Sequence, residues 1–379
     1  MQPQKSKKKK PKKLKRNSFF AAEATKIKKG KKFPKFLGLI GIIVLGIGIA
    51  YFVRIYFAAL SSAQDAYHPG KNTSTAIINK KPISILILGV DQGIEGRHDR
   101  GNSDTMILAT LNPQKQKATM TSIPRDLLVD VQGDGKDGGK YFMFRINSAY
   151  QVGGSEASAA TVSKLLNTPV DYTMEVQMDA LKNLVDALGG VDVKVPFTFT
   201  YNDHFKKGWR HLSGSQALNY VRMRHDDPRG DYGRQKRQRQ VIQAIVKKGM
   251  NVNVMSGNYR KILKVFSKYV RTNLTADDMT AIAMNYRSAG KNVKSGYIQG
   301  HDAWIGDAAM QVAPTSVLQH TSDLTRTNLD LSKEKLENEE TRQNKLQKDL
   351  DWKDPSAFEN YVVYDQNSDT IPYSSSSSK

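Results

Sequence analysis

Between Tyr220 and Gln240 the chain carries Arg222, Arg224, Arg229, Arg234, Lys236, Arg237 and Arg239, interrupted by Asp226, Asp227 and Asp231. On a strand over Tyr220–Arg224, the side chains of Arg222 and Arg224 point to one face. In a helix beginning at Asp231, Arg234, Arg237 and Gln238 share a face with Val241 and Ile245, the face turned toward the protein. Unpaired charges are costly to bury there. At a helix start, free backbone N–H groups and the dipole favour an anion, and the guanidinium fork suits phosphate. Pairing with the three acids is the alternative, but four inward-pointing arginines exceed them, which favours an anion site. Arg125 adds a fifth arginine just after a strand, where Pro124 ends the ladder and sets the turn that aims it.

Two carboxylates suggest a cation. Asp91 stands at the carboxyl end of the apolar run Ile83–Val90 and Asp104 at the entry to the next strand, and ligands of α/β sheets bind outside the carboxyl ends of strands. If those strands pair antiparallel, the acids meet at one edge and repel unless a cation joins them. Oxygen ligation of that kind suits Mg2+ or Mn2+, with substrate phosphate completing the shell. Two acids that merely cap turns fit the spacing equally well. His225-Asp226-Asp227 also looks metal-like, but sequential neighbours rarely converge on one ion, and a solvated loop explains the triplet. Phosphate-loop, dinucleotide, zinc-protease and esterase signatures are missing. With no cysteine, thiolate metal sites, disulfides and cysteine nucleophiles are excluded.

The elements that must position these groups read as an α/β layered sheet. Ile83–Val90 is too short for a buried helix and suits a strand buried on both faces. Further strands are expected at Thr105–Leu111, Ala118–Ile123, Val170–Met178, Val191–Val195 and Tyr220–Arg224. Helices are expected at Ser155–Leu166, Ala180–Leu188, Ser213–Asn219, Asp231–Met250, Gly257–Val270 and Ala276–Arg287, the last opened by a capping box of Thr275 and Asp278. Strands alternating with helices argue for a mixed sheet with helices packed on it.

The net charge of +22 over 379 residues suggests nucleic acid until its distribution is read. Residues 1–35 hold fifteen Lys/Arg against Glu23 alone, leaving +8 for the rest, so no nucleic-acid partner is expected. Phe36–Val53 is eighteen residues without a charge, close to the ~20 that span a bilayer and longer than the core of a cleaved signal. The expected organisation is a basic cytoplasmic tail (1–33), a signal-anchor helix (34–60), a linker (61–81) and an extracellular catalytic domain (82–320). A charged, partly disordered tail (321–379) would end the chain, with Ser374–Ser378 of low complexity.

In order and spacing, ILGVD (Ile87–Asp91), SDT (Ser103–Thr105), SIPRD (Ser122–Asp126), IN-x-AY (Ile146–Tyr150), VDALGGVDV (Val185–Val193), LSGSQALNYVRMR (Leu212–Arg224) and GDYGRQKRQ (Gly230–Gln238) resemble the LytR-CpsA-Psr family of membrane-anchored cell-wall phosphotransferases. The resemblance implies a three-layer α/β/α fold with a central mixed sheet, one preceding transmembrane helix, and a long apolar pocket for a polyprenyl chain. It implies transfer of an anionic glycopolymer, teichoic acid or capsular polysaccharide, from undecaprenyl pyrophosphate to a peptidoglycan hydroxyl as a phosphodiester. By similarity, Asp91 and Asp104 would hold Mg2+ (or Mn2+), while Arg125, Arg222, Arg224, Arg234 and Gln238 would grip phosphates. Arg237 and Asp231 match the pattern too, Arg237 as a further phosphate contact and Asp231 as candidate general base. The family's arginine before SDT is Asn102 here, and Arg100 is its candidate substitute. The implied partners are the lipid-linked polymer, peptidoglycan and membrane lipid, at the cell membrane of a Gram-positive type of cell. Two other functions stand as alternatives: a membrane-tethered regulatory or binding protein of the attenuator type, acting through the basic tail, and a polyprenyl pyrophosphatase that hydrolyses the same lipid.

Overall fold

The computed structural model describes residues 75–90, 101–133, 143–249, 252–348, 350–354 and 358–373. The basic tail, the signal-anchor at 34–60, Asp91, Arg100 and Ser374–Ser378 lie outside the described residues. Among the described residues no helix is long and apolar enough to cross a membrane.

Six strands form the central sheet: β1 (Ile83–Val90), β2 (Ser103–Asn112), β3 (Lys117–Ile123), β6 (Tyr172–Gln177), β11 (Val270–Thr272) and β12 (Asn292–Tyr297), in the order β11-β6-β1-β2-β3-β12. β1 runs antiparallel to β2 and parallel to β6, and β12 runs parallel to β3. The sheet is therefore mixed, as expected. β1 sits inside it because Ile, Leu and Val on both sides of the strand must leave water, and all but Ile87 are buried.

Each face of the sheet meets helices. Leu86, Leu88, Met106, Leu108 and Ile123 pack against Tyr150, Val162 and Leu165 of α2 (Ser148–Leu166) and Leu318 of α8 (Thr315–Asn328). On the other face, Ile83, Ile85 and Tyr172 pack with Leu274, Tyr286 and Ile77 of the short α1 (Thr75–Ile78). The buried Ile77 moves the start of the folded domain from Pro82 back to Thr75. This second face also carries α3 (Met178–Ala187), α5 (Gly230–Gly249), α6 (Val252–Tyr269) and α7 (Ala276–Asn285). The capping box at Thr275 and Asp278 opens α7. The result is a three-layer α/β/α sandwich.

Two expectations change. Tyr220–Arg224 is not a strand: α4 spans Gly214–Arg222, nucleated by the capping box of Ser213 and Gln216 and held by burial of Ala217, Tyr220 and Val221 on one face. The region after 320 is not a solvated tail either. α8 runs through residue 320, and α9 (Glu339–Leu346) is capped by Asn338 and buries Thr341 and Gln343. Gln343 donates to the Tyr364 carbonyl (2.8 Å) and Asn344 to the Ala313 carbonyl (2.9 Å). Strand β15 (Glu359–Asn360) adds to the hairpin of β13 (His301–Ile305) and β14 (Ala308–Val312). The smaller pairs β4 (Leu128–Asp130) with β5 (Met143–Arg145), β7 (Val191–Val195) with β10 (Gly208–Leu212), and β8 (Phe199–Tyr201) with β9 (Asp203–Phe205) complete the domain.

Candidate active site

The site forms where β1 and β3 end and β2 begins, beneath the first turns of α5. A register shift between Gly89 and Val90 closes the β1–β2 ladder, leaving Val90 opposite Ser103, and such bulges re-aim side chains. Gly89 is required there, because a Cβ would fall 2.8 Å from Thr105 Cβ. Asp104 and Thr105 follow Ser103 into β2. After β3, the turn at Pro124, closed by Leu127 N–H to the Pro124 carbonyl (3.2 Å), delivers Arg125. Its Nη1 donates to Asp104 Oδ1 at 2.8 Å, and its Nε lies 3.4 Å from Asp126.

From above, α5 contributes Asp231, Arg234 and Gln238. Arg234 Nη2 pairs with Asp231 Oδ1 at 2.6 Å, and Gln235 donates to the other oxygen at 2.8 Å. Gln238 donates to Thr105 Oγ1 at 3.0 Å, tying helix to strand. Arg234 is 15% exposed, and among the described residues its Nε has no partner. Burial pushes this guanidinium below its ordinary value; Asp231 and Asp104 pull it back, while repulsion from Arg125 and Arg224 lowers it further. Arg125 moves the opposite way. Burial works against its charge, but the hydrogen bond to Asp104 and the fields of Asp104, Asp126 and Asp231 raise it. The cluster thus has one neutralised arginine and one whose positive charge is only partly met, which is an electrostatic demand for an anion.

The expected residues divide three ways. Arg125, Arg224, Arg234, Gln238, Asp231 and Asp104 come together, with Arg224 exposed just past α4. Arg222 is exposed on the last residue of α4 and, among the described residues, is not among the charges bearing on Arg234. Arg237 belongs elsewhere, and its place among the phosphate contacts is corrected. It is fully buried, pairs with Asp227, and donates to the carbonyls of Tyr220 (2.9 Å) and Met223. That commitment also removes Asp227 from any metal triplet. Asp231 is spent on orienting Arg234 and Gln235.

Asp104, with one oxygen on Arg125, remains 37% exposed. Among the described residues no three His, Asp or Glu side chains gather for a metal. An ion that keeps waters and takes substrate phosphates needs only one or two carboxylates, so this donor fits Mg2+ or Mn2+ of that kind.

Sequence reasoning missed two anchors of the site. Arg239 is buried beneath α5 against Ser122 and Ser295 and is pushed down to about 10 by burial, with no carboxylate pairing it among the described residues. Tyr232 fixes α5 to Gly300, accepting from its N–H at 2.9 Å. Both contacts span more than fifty residues, and no local pattern marks them. Beside Gly89, a strip of half-buried apolar side chains, Ile87, Met174, Val176 and Met178, leads away from the site on the α5 face. A small cavity touching Leu127, Leu165 and Leu318 holds about 10 Å³, room for a single water. It lies on the opposite face and is not the lipid pocket the resemblance implies.

These features define a class: three-layer α/β/α domains with an arginine cluster over the strand ends. The LytR_cpsA_psr family model matches residues 47–327, and the chain belongs to that family. It is 39% identical over 305 residues, 78% of this chain and 97% of the relative, to the polyisoprenyl-teichoic acid–peptidoglycan teichoic acid transferase TagU of Bacillus anthracis. The crystal structure of protein gbs0355 from Streptococcus agalactiae is similar at 38% identity and a TM-score of 0.64, covering 71% of this chain and 94% of that one. TagT bound to LIIa-WTA is similar at 26% identity and a TM-score of 0.57, covering 69% and 94%.

Proposed function

We propose that this protein transfers an anionic glycopolymer from a polyprenyl pyrophosphate carrier in the membrane, undecaprenyl pyrophosphate, to a hydroxyl of peptidoglycan. The observation that carries the proposal is Arg234, half-buried, unmatched at Nε and crowded by Arg125 and Arg224. A pyrophosphate is the ligand that repays such crowding. The names of TagU and of TagT bound to LIIa-WTA support the polymer and the acceptor. The apolar strip from Gly89 supports a lipid tail, and the Phe36–Val53 run supports a membrane anchor with the domain outside the cell.

In the reaction the acceptor oxygen bonds to the phosphorus that carries the polymer, the pyrophosphate bridge breaks, and lipid monophosphate leaves and takes up the hydroxyl proton. Arg234, with Arg224 and Arg125, holds the phosphoryl oxygens as charge shifts toward the leaving phosphate. Asp231 keeps Arg234 aimed, and Gln238 fixes the helix to Thr105. Asp104, with Asp91 outside the described residues, would hold Mg2+ or Mn2+, which when bound neutralises pyrophosphate charge. As acceptor hydroxyl and substrate phosphate supply both reacting partners, no protein nucleophile is required.

The test is to incubate the full-length chain with lipid-linked polymer and peptidoglycan stripped of wall polymers. Polymer bound to wall by a phosphodiester, with one lipid monophosphate released per bond, is the expected product. Lipid monophosphate released equally well without acceptor would favour the pyrophosphatase instead.

A further inference from the structure

The segment after the family match, Leu329–Tyr373, carries eleven acids against six bases, a net −5 on a chain of +22. It builds one edge of the three-stranded sheet β14-β13-β15. The inner face of that sheet is core, with Ala303, Met310 and Tyr361 buried. The outer face is not. Trp304 is 42% and Phe358 53% exposed, with ring centroids 5.5 Å apart. Asp302 shares the face of Trp304 by strand alternation, and Gln311 opposite it donates to Asp302 at 2.9 Å. Asn360 stands at register with Trp304 on the other side.

This face runs directly into the site. Gln311 Oε1 lies 3.3 Å from the Tyr232 hydroxyl, and Tyr232 adjoins Asp231, the partner of Arg234. From Gly300 at Tyr232 to Trp304 is ~13 Å along an extended strand. Aromatic rings open to solvent, flanked by carboxylate, amide and carbonyl groups, suit sugar rings, whose apolar C–H faces stack on the rings while their hydroxyls take the polar groups. Charge decides which sugar. Asp302 on this face opposes a polyanionic polymer but leaves uncharged sugar rings unopposed.

We propose that the outer face of β14-β13-β15, centred on Trp304 and Phe358, binds the uncharged glycan of the acceptor and leads its hydroxyl toward Arg234. The identity of that glycan as wall acceptor rests on the transferase reading; the stacking surface does not.

The experiment mixes full-length chain in mild detergent with insoluble peptidoglycan stripped of wall polymers and measures the unbound fraction. Trp304→Ala and Phe358→Ala should each weaken retention about five- to tenfold, while Trp304→Phe, which keeps a ring, should retain most of it. In transfer assays the alanine variants should raise the KM for acceptor, leave kcat at saturating acceptor unchanged, and bind inorganic pyrophosphate as the wild type does. Unchanged retention in both alanine variants would overturn the proposal. So would loss of binding to free anionic wall polymer in place of peptidoglycan. A wild-type chain retained through these rings but transferring nothing would uphold the surface and sink the transferase reading.

Discussion

Arg234 and Arg237 stand three residues apart on α5, both from the GDYGRQKRQ motif, and do opposite work. Arg237 is sealed among Phe199, Tyr220 and Met223, with Asp227 and two carbonyls meeting its donors. Among the described residues Arg234 has one carboxylate, an idle Nε, and two other arginines for neighbours. A buried guanidinium whose donors are met within the chain holds the fold together. One whose charge exceeds its local acids is the contact the proposed function assigns to the ligand. Residue type and helical spacing are the same for both; the count of partners separates them.

The largest effect expected is on the structural side of this pair. Arg237→Ala strands Asp227 in the core and should lower stability by about 3–5 kcal/mol, seen as a large drop in the urea midpoint. Arg234→Ala should leave that midpoint nearly unchanged and cut transfer about 10²- to 10³-fold; equal stability losses in the two variants would erase the distinction. Gly233→Ala pushes a methyl into the Asp227 carboxylate and should cost about 1–3 kcal/mol of stability, again through the Arg237 joint, with kcat of the folded fraction intact. On the other side of the pair, Asp104→Asn should raise the Mg2+ concentration for half-maximal transfer about tenfold, read by metal titration.

The smallest effect concerns a third buried charge, Glu340. It accepts from Asp130 N–H at 2.9 Å, among the described residues its Oε2 has no partner, and burial pushes it up from 4.5 to about 7. The folded state therefore holds a proton that the unfolded state releases, so stability should fall as pH rises from about 4.5 to about 7 and then level off. Glu340→Gln should flatten that slope in urea midpoints measured across the window.

Where local periodicity set the element, the sequence was legible. Ile83–Val90 and Val191–Val195 appear with the expected bounds, because each is a short apolar pattern closed by turn residues. The alternation in Tyr220–Arg224 is real in burial, with Val221 and Met223 in and Arg222 and Arg224 out. A helix end followed by the extended Met223 produces it, and period alone reads that as a strand. Gathering Asp104, Arg125 and Arg234 was legible from strand ends and a helix start. The Arg237–Asp227 pair was one of the alternatives the three acids offered, but a loop folding under its own helix leaves no periodic mark that would choose it over the anion site. The C-terminal segment misled through composition: its Gln343 and Asn344 look solvated but are spent on distant carbonyls.

The central claim is that the partly unmet charge of Arg234 takes the pyrophosphate of a lipid carrier. Calorimetric titration of full-length wild type, Arg234→Ala and Arg237→Lys with a polyprenyl pyrophosphate tests it most directly. Arg234→Ala should bind at least about thirtyfold more weakly than wild type, and Arg237→Lys, where folded, within a few-fold of it. Equal affinity in wild type and Arg234→Ala would contradict the account.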